Sequence, residues 1–252
     1  MSNQQKNKIN QLERGYPRQS FHMQGIFPGL IHFCIEDLDS LDRYAMFSEK
    51  VIKSKMTDFD EKIQNYAHEN NLDEEELDAY YEYKRNEVDD HFKNHPSFLY
   101  QSLLITSCSL FEANFVGLCK HIEEYENITI NTNSKDINGD NNINKWAKYL
   151  CKNFSVCPQY SVYWKCIQNA YTIRNLFVHA NSDISLLKEN QQAKTEKIIK
   201  NLYNYDITMD HNLVKLRSGK YARFIISTMK SFLEDFKKAC VENNMLGPKF
   251  WP

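Results

Sequence analysis

The stretch LLITSCSLFEANFVGLCKHI, residues 103–122, reads as a helix on spacing alone. Leu104, Cys108, Phe111, Phe115, Leu118 and Ile122 follow one another at intervals of 4, 3, 4, 3 and 4. At 3.6 residues per turn, side chains three and four apart share a face, so these six form one apolar stripe. Glu112 stands at its margin. The wider apolar run, Phe98 to Cys119, is interrupted by Gln101, Glu112 and Asn114. That predicts a buried core helix rather than a membrane span.

Outward from this stretch the chain keeps reading as helix. Its 252 residues hold only 7 Gly and 6 Pro, which argues against a turn-rich β fold. The hydrophobic share of 42% beside 25% charge is an ordinary globular balance, with length enough for a sizeable core. Residues 1–28 are polar and carry Gly15, Pro17, Gly25 and Pro28, which predicts a loose arm. They hold no apolar run of the kind that forms a secretion signal. Asp37 to Met46 reads as helix, and Thr57 or Asp58 caps another that runs to about Asn70. Acids at Asp73, Glu74, Glu75 and Glu76 open a third helix, which continues towards His95 until Pro96 stops or restarts it.

Beyond the central stretch comes a polar Asn/Asp/Gly loop, about 127–144, and a short helix from Lys145 to Asn153. A helix from about Gln159 to Asn181 follows, then one over Ser185–Asn204. The alternation in ITMDHNLVKL, residues 207–216, predicts a short β-hairpin. Ser218-Gly219 turns the chain into a last amphipathic helix, Tyr221 to about Asn243. The expected fold is all-α. A helical core over 96–245 carries a helical elaboration over 29–95 packed on it, and the whole forms one compact unit.

Charge is unevenly spread. Residues 69–91 hold ten acids and two bases, whereas 184–239 hold eleven bases and six acids. An acidic segment thus masks a mildly basic body, and a solvated helix face accounts for such a run most simply. The net charge of -2 does not by itself mark a nucleic-acid binder. Seven cysteines without tight pairing read as reduced, buried thiols in a cytoplasmic protein. Cys151, Cys157 and Cys166 are spaced too widely for a usual zinc site and find no obvious fourth ligand. There is no phosphate-cradling Gly loop and no His-Glu-x-x-His pair, so neither a metal nor a cofactor is expected.

The chemistry-bearing residues lie in IRNLFVHAN, residues 173–181. RNA can be cut without metal when the ribose 2′-OH attacks the neighbouring phosphorus, leaving a 2′,3′-cyclic phosphate and a 5′-OH. A group that moves protons near neutral pH suits His, and a fixed cation on the crowded phosphorane oxygens suits the Arg fork. Arg174, Asn175 and His179 supply that kit. Helical geometry puts Arg174 near the middle of a stripe made by Ile167, Tyr171 and Val178, where a charge needs a partner or an interface cleft. Glu112 is a candidate partner. Asn175 and His179, at i and i+4, share a face. His179 stands about 140° around from Arg174, a separation bridged by the length of Arg and by fraying near Asn181. Arg85-Asn86-Glu87-Val88-Asp89-Asp90-His91 fits a looser version of the pattern, but its own acids would repel phosphate.

With these residues in place, the chain resembles HEPN domains, the higher eukaryotes and prokaryotes nucleotide-binding family. Their signature is Arg, a polar residue that is often Asn, and a His four to six residues after the Arg. SLFEANFVGLCKHIEE, residues 109–124, is similar to the family's core helix, with Glu112 in the place of its recurring acid. GKYARFIISTMKSFLEDF, residues 219–236, is similar to its closing helix. The resemblance covers about 96–240. It implies a HEPN-like helical bundle and a metal-independent endoribonuclease of the toxin or antiviral abortive-infection type. It also implies RNA as substrate, a homodimer with a composite active site, a partner such as an antitoxin or regulatory protein, and no membrane. Arg174 and His179 would carry catalysis, Asn175 would orient them and Glu112 would support them.

Many members of that family are inactive binding modules, so a non-catalytic helical scaffold that regulates a partner protein stands as the alternative. The remaining candidates read as structural. His22, His32, His68, His95, His121 and His211 are ordinary surface or core residues. Tyr80, Tyr81 and Tyr83 could stack bases, but their acidic surroundings favour a core or partner contact.

Overall fold

A computed structural model of the chain describes residues 27–126, 137–139, 141–154 and 156–242. Most of the arm expected over 1–28, most of the polar loop expected over 127–144 and the end of the last helix near Asn243 lie outside the described residues. The described chain is mostly helical, with one small antiparallel hairpin before its last long helix.

The first helix, α1, runs unbroken over Phe27–Glu69. No cap forms at Thr57 or Asp58, contrary to expectation. Thr57 Oγ1 instead donates to the Lys53 carbonyl one turn back at 3.1 Å, which satisfies the hydroxyl inside the helix. The end comes where Asn71 turns left-handed at φ 50°. There the Leu72 and Asn71 amides donate to the Ala67 and His68 carbonyls, at 2.9 and 3.3 Å, and close the last turn.

Helix α2, Glu74–Tyr83, starts as the acids foretell. The Asp73 carboxylate accepts from the Glu76 amide at 2.9 Å, and the Glu76 carboxylate accepts from the Asp73 amide at 3.1 Å. This reciprocal cap is the main local anchor of a helix that buries no residue. Asp73→Ala should therefore cost α2 about 1 kcal/mol, seen as faster amide exchange over residues 74–83 with little change in the global unfolding midpoint. Unchanged exchange there would show that the cap carries no weight.

A short helix, α3, Arg85–Asp89, passes through a π turn at Asp90–Asn94 into α4, His95–Glu126. Pro96 explains the wide turn. Its ring would crowd the carbonyl four residues back in a regular helix, and a π turn opens that space. The α-helix thus restarts at His95, one residue before Pro96, without a break in the chain's helical path. All six stripe residues of α4 from Leu104 to Ile122 are buried. The helical run Arg85–Glu123 is long and apolar enough to cross a membrane, with a mean hydropathy of 1.4 over its most apolar window. Of that window 44% is buried inside the fold, and a soluble core helix can pass the same test of length and composition.

Then follow α5 (Asn142–Phe154), a 3-10 turn at Pro158–Tyr160 and α6 (Trp164–His179). Next come a 3-10 turn at Ile184–Leu186, α7 (Glu189–Lys200), β1 (Ile207–Asp210), β2 (Leu213–Leu216) and α8 (Lys220–Lys237). The helix expected over Ser185–Asn204 is shorter, because a 3-10 turn opens it and another, Tyr203–Tyr205, closes it. The hairpin pairs Ile207 with Leu216 and Asp210 with Leu213, and His211 takes the positive φ of 56° that its two-residue turn requires.

The described residues group into two compact units, interleaved in sequence. One unit draws on residues up to 38, on 109–168 and on 227 onward. Its centre is aromatic. Phe115 meets Phe111, Trp164, Phe232 and Phe236 at ring distances of 5.8, 5.9, 5.7 and 5.6 Å, and Phe27 packs on Phe236.

The other unit draws on 39–108 and 169–226. It holds the hairpin, α2 and α7, with Tyr66 stacked on Tyr80 at 4.4 Å and Tyr205 against Phe224 at 4.5 Å. Here Gly219 lies close against the Glu49 side chain. Its amide donates to Glu49 Oε1 at 2.9 Å, and a Cβ at this position would overlap that carboxylate. Gly219→Ala should lower stability by about 1 kcal/mol, because the hydrogen bond breaks as the carboxylate moves aside. Adding Glu49→Ala should recover part of the loss in thermal melts, and strictly additive effects would refute the contact.

Candidate active site

Helix α6 carries the candidate residues. Its buried positions are Trp164, Ile167, Ala170, Tyr171, Ile173, Leu176 and Phe177, continued by Ala180 just beyond. In the C-terminal half the buried seam thus runs through Ile173, Leu176 and Phe177. Val178 is 42% exposed. Arg174 therefore flanks the seam and is half-buried, not central to it as the spacing with Ile167, Tyr171 and Val178 suggested. The seam follows Ile173, which that count of apolar positions passed over.

The half-burial of Arg174 has a chemical consequence. Its Nη1 donates to Asn175 Oδ1 at 2.9 Å, while its Nε is enclosed and makes no hydrogen bond. An enclosed donor left unpaired costs about 1–3 kcal/mol, so the guanidinium is held with unmet donor capacity. Asn175 and His179 are both exposed, one turn apart on the same face. Among the described residues His179 has no hydrogen-bond partner, which leaves its ring open to a ligand.

Tyr171 anchors the helix one turn earlier, donating its hydroxyl to the Cys108 carbonyl at 2.7 Å. After His179 the chain does not fray. The Ala180 amide donates to the Leu176 carbonyl at 3.0 Å, and Asn181 and Ser182 turn left-handed at φ 47° and 69°. The Ser182 carbonyl accepts from the Val214 amide and the Ile184 amide donates to the Asn212 carbonyl, both at 2.9 Å. These bonds tie the end of α6 to the hairpin, so His179 sits on a pinned turn. The fraying expected near Asn181 is corrected on this ground.

Glu112 belongs to the first unit and the other three residues to the second. Its Oε1 accepts from Asn142 Nδ2 at 2.7 Å, so the carboxylate has a use of its own, and its support of Arg174 stays a proposal. The looser match, Arg85 to His91, is engaged elsewhere. Arg85 pairs with Glu82 at 2.7 Å, and His91 stacks on Phe59 at 4.5 Å. The neighbouring tyrosines are also occupied: Tyr80 stacks on Tyr66, and Tyr81 Oη donates to Asp60 Oδ1 at 3.1 Å.

The cysteines correct one expectation. Cys151 and Cys157 are joined as a disulfide, because the end of α5 and the turn towards Pro158 bring their Cα atoms within 4.3 Å. Two of the three thiolates weighed for zinc are thereby consumed. Among the described residues no three His, Cys, Asp or Glu side chains gather as a metal site. Cys34, Cys108, Cys119 and Cys240 are buried and outside any disulfide. Burial pushes Cys119 and Cys240 well above the usual thiol range and Cys34 up to about 11, which makes them unreactive.

Sequence reasoning missed a group of bases in the second unit. Lys53, Arg217, Lys220 and Arg223 line one cavity of about 360 Å³. The surplus of bases over 184–239 was the only hint, since Lys53 comes from far away in the chain. No family model, no curated protein and no solved structure matches the chain.

Proposed function

We propose that this chain is a metal-independent endoribonuclease of the HEPN type, acting in the cytoplasm as a toxin or antiviral abortive-infection effector. Arg174 would bind the phosphorane oxygens, His179 would move protons and Asn175 would orient the guanidinium. The proposal includes a homodimer whose two copies complete one cleft, with Glu112 in support, and an antitoxin or regulatory protein that restrains it. The observation that carries it is Arg174 itself. A half-buried cation whose Nη1 is tied to Asn175 is fixed in place to meet an anion, and it stands five residues from an exposed imidazole.

A non-catalytic interaction module is favoured by a different observation. Tyr44, Phe47 and Val51 stand exposed on one face of α1, as partner-binding faces do. One assay separates the two. Wild type, Arg174→Ala and His179→Ala are incubated with total RNA in EDTA, and products are mapped for cyclic phosphate ends. Cutting by the wild type alone supports the nuclease. Intact RNA with wild type, or equal cutting by both variants, leaves the interaction module.

A further inference from the structure

We infer that the cavity between α1, the start of α4 and the start of α8 is a binding site for a small organic phosphate, separate from the residues of α6. All its lining residues belong to the second unit. Its volume of about 360 Å³ falls in the range of small-molecule sites. The lining residues are of two chemical kinds. Met56, Phe92, Pro96 and Tyr100 are apolar or aromatic, and Tyr100 is buried. Lys53, Arg217, Lys220 and Arg223 are cationic.

The cations differ in what they already hold. Arg223 is paired with Asp42 at 3.1 Å and Lys220 with Asp206 at 2.9 Å. Lys53 and Arg217 have no carboxylate partner among the described residues, and Arg217 spends only its Nε, donating to Thr208 Oγ1 at 3.2 Å. Glu49, the one carboxylate on the wall, is held by the Gly219 amide. Two uncommitted cations sharing one cavity with apolar side chains suit a ligand that is anionic at one end and flat or apolar at the other. A phosphomonoester takes both, its oxygens on Lys53 and the Arg217 fork, its organic body on Met56, Phe92 and Tyr100.

The test is calorimetric titration of the full chain with phenyl phosphate, inorganic phosphate and phenol. Phenyl phosphate should bind the wild type, and the other two at least about tenfold more weakly, because each satisfies one kind of lining residue only. Lys53→Gln with Arg217→Gln should weaken phenyl phosphate at least about tenfold, and circular dichroism should be unchanged because both side chains are exposed. Absence of phenyl phosphate binding at millimolar concentration overturns the proposal. So does equal binding of inorganic phosphate or phenol, or a folded double variant that binds as the wild type does. RNA cleavage enters none of these readouts, so the fate of the nuclease proposal leaves them untouched.

Discussion

Arg174→Ala should lower the rate of RNA cleavage by about a thousandfold or more, the scale on which a single guanidinium stabilises a phosphoryl transition state. Arg174→Lys should restore only part of it. Lysine keeps the charge but loses the fork that holds two oxygens at once, and it cannot reproduce the bond from Nη1 to Asn175. His179→Ala should cost about 10²- to 10⁴-fold, the usual weight of a positioned proton carrier. Stability gives the control. Arg174 makes one hydrogen bond, to an exposed neighbour, and its Nε is unpaired, so Arg174→Ala should leave the unfolding free energy within about 1 kcal/mol of wild type. A large loss of activity with an intact fold marks a catalytic role. A large loss of stability would instead mark Arg174 as a structural residue and count against the nuclease reading.

The largest expected effect on folding lies in the other unit. Phe115 is fully buried and meets four aromatic rings at 5.6 to 5.9 Å. Phe115→Ala should cost about 3–5 kcal/mol, because the lost ring leaves a cavity whose walls come from three different helices and cannot collapse together. Phe115→Leu keeps most of the volume and should cost clearly less. Urea denaturation followed by tryptophan fluorescence checks both, since Trp164 lies against Phe115. A cost below about 1 kcal/mol for the alanine variant would mean that the cluster adds little to stability.

The all-helical fold was legible wherever local rules decide. The stripe from Leu104 to Ile122, the acids that cap α2 and the alternation around His211 each act through neighbours a few residues away. The structure carries all three. Legibility failed where a local preference had two outlets. Thr57 could cap or bond back into its own helix, and the surrounding helix chose the second. Cys151 and Cys157 bond because the fold brings their Cα atoms within 4.3 Å, and no pairing rule in the sequence states that approach.

For the candidate site, the sequence by itself determined the identities and order of Arg174, Asn175 and His179, and that Asn175 and His179 share a helical face. Those follow from spacing and helical pitch. Tertiary structure alone decided how deeply Arg174 is set beside the buried seam, that its Nε is left unpaired and that His179 ends a turn pinned to the hairpin. It alone assembled Lys53 with Arg217 across more than half of the chain. Depth and cross-chain assembly depend on which faces the whole fold closes, and periodicity within one helix does not contain that.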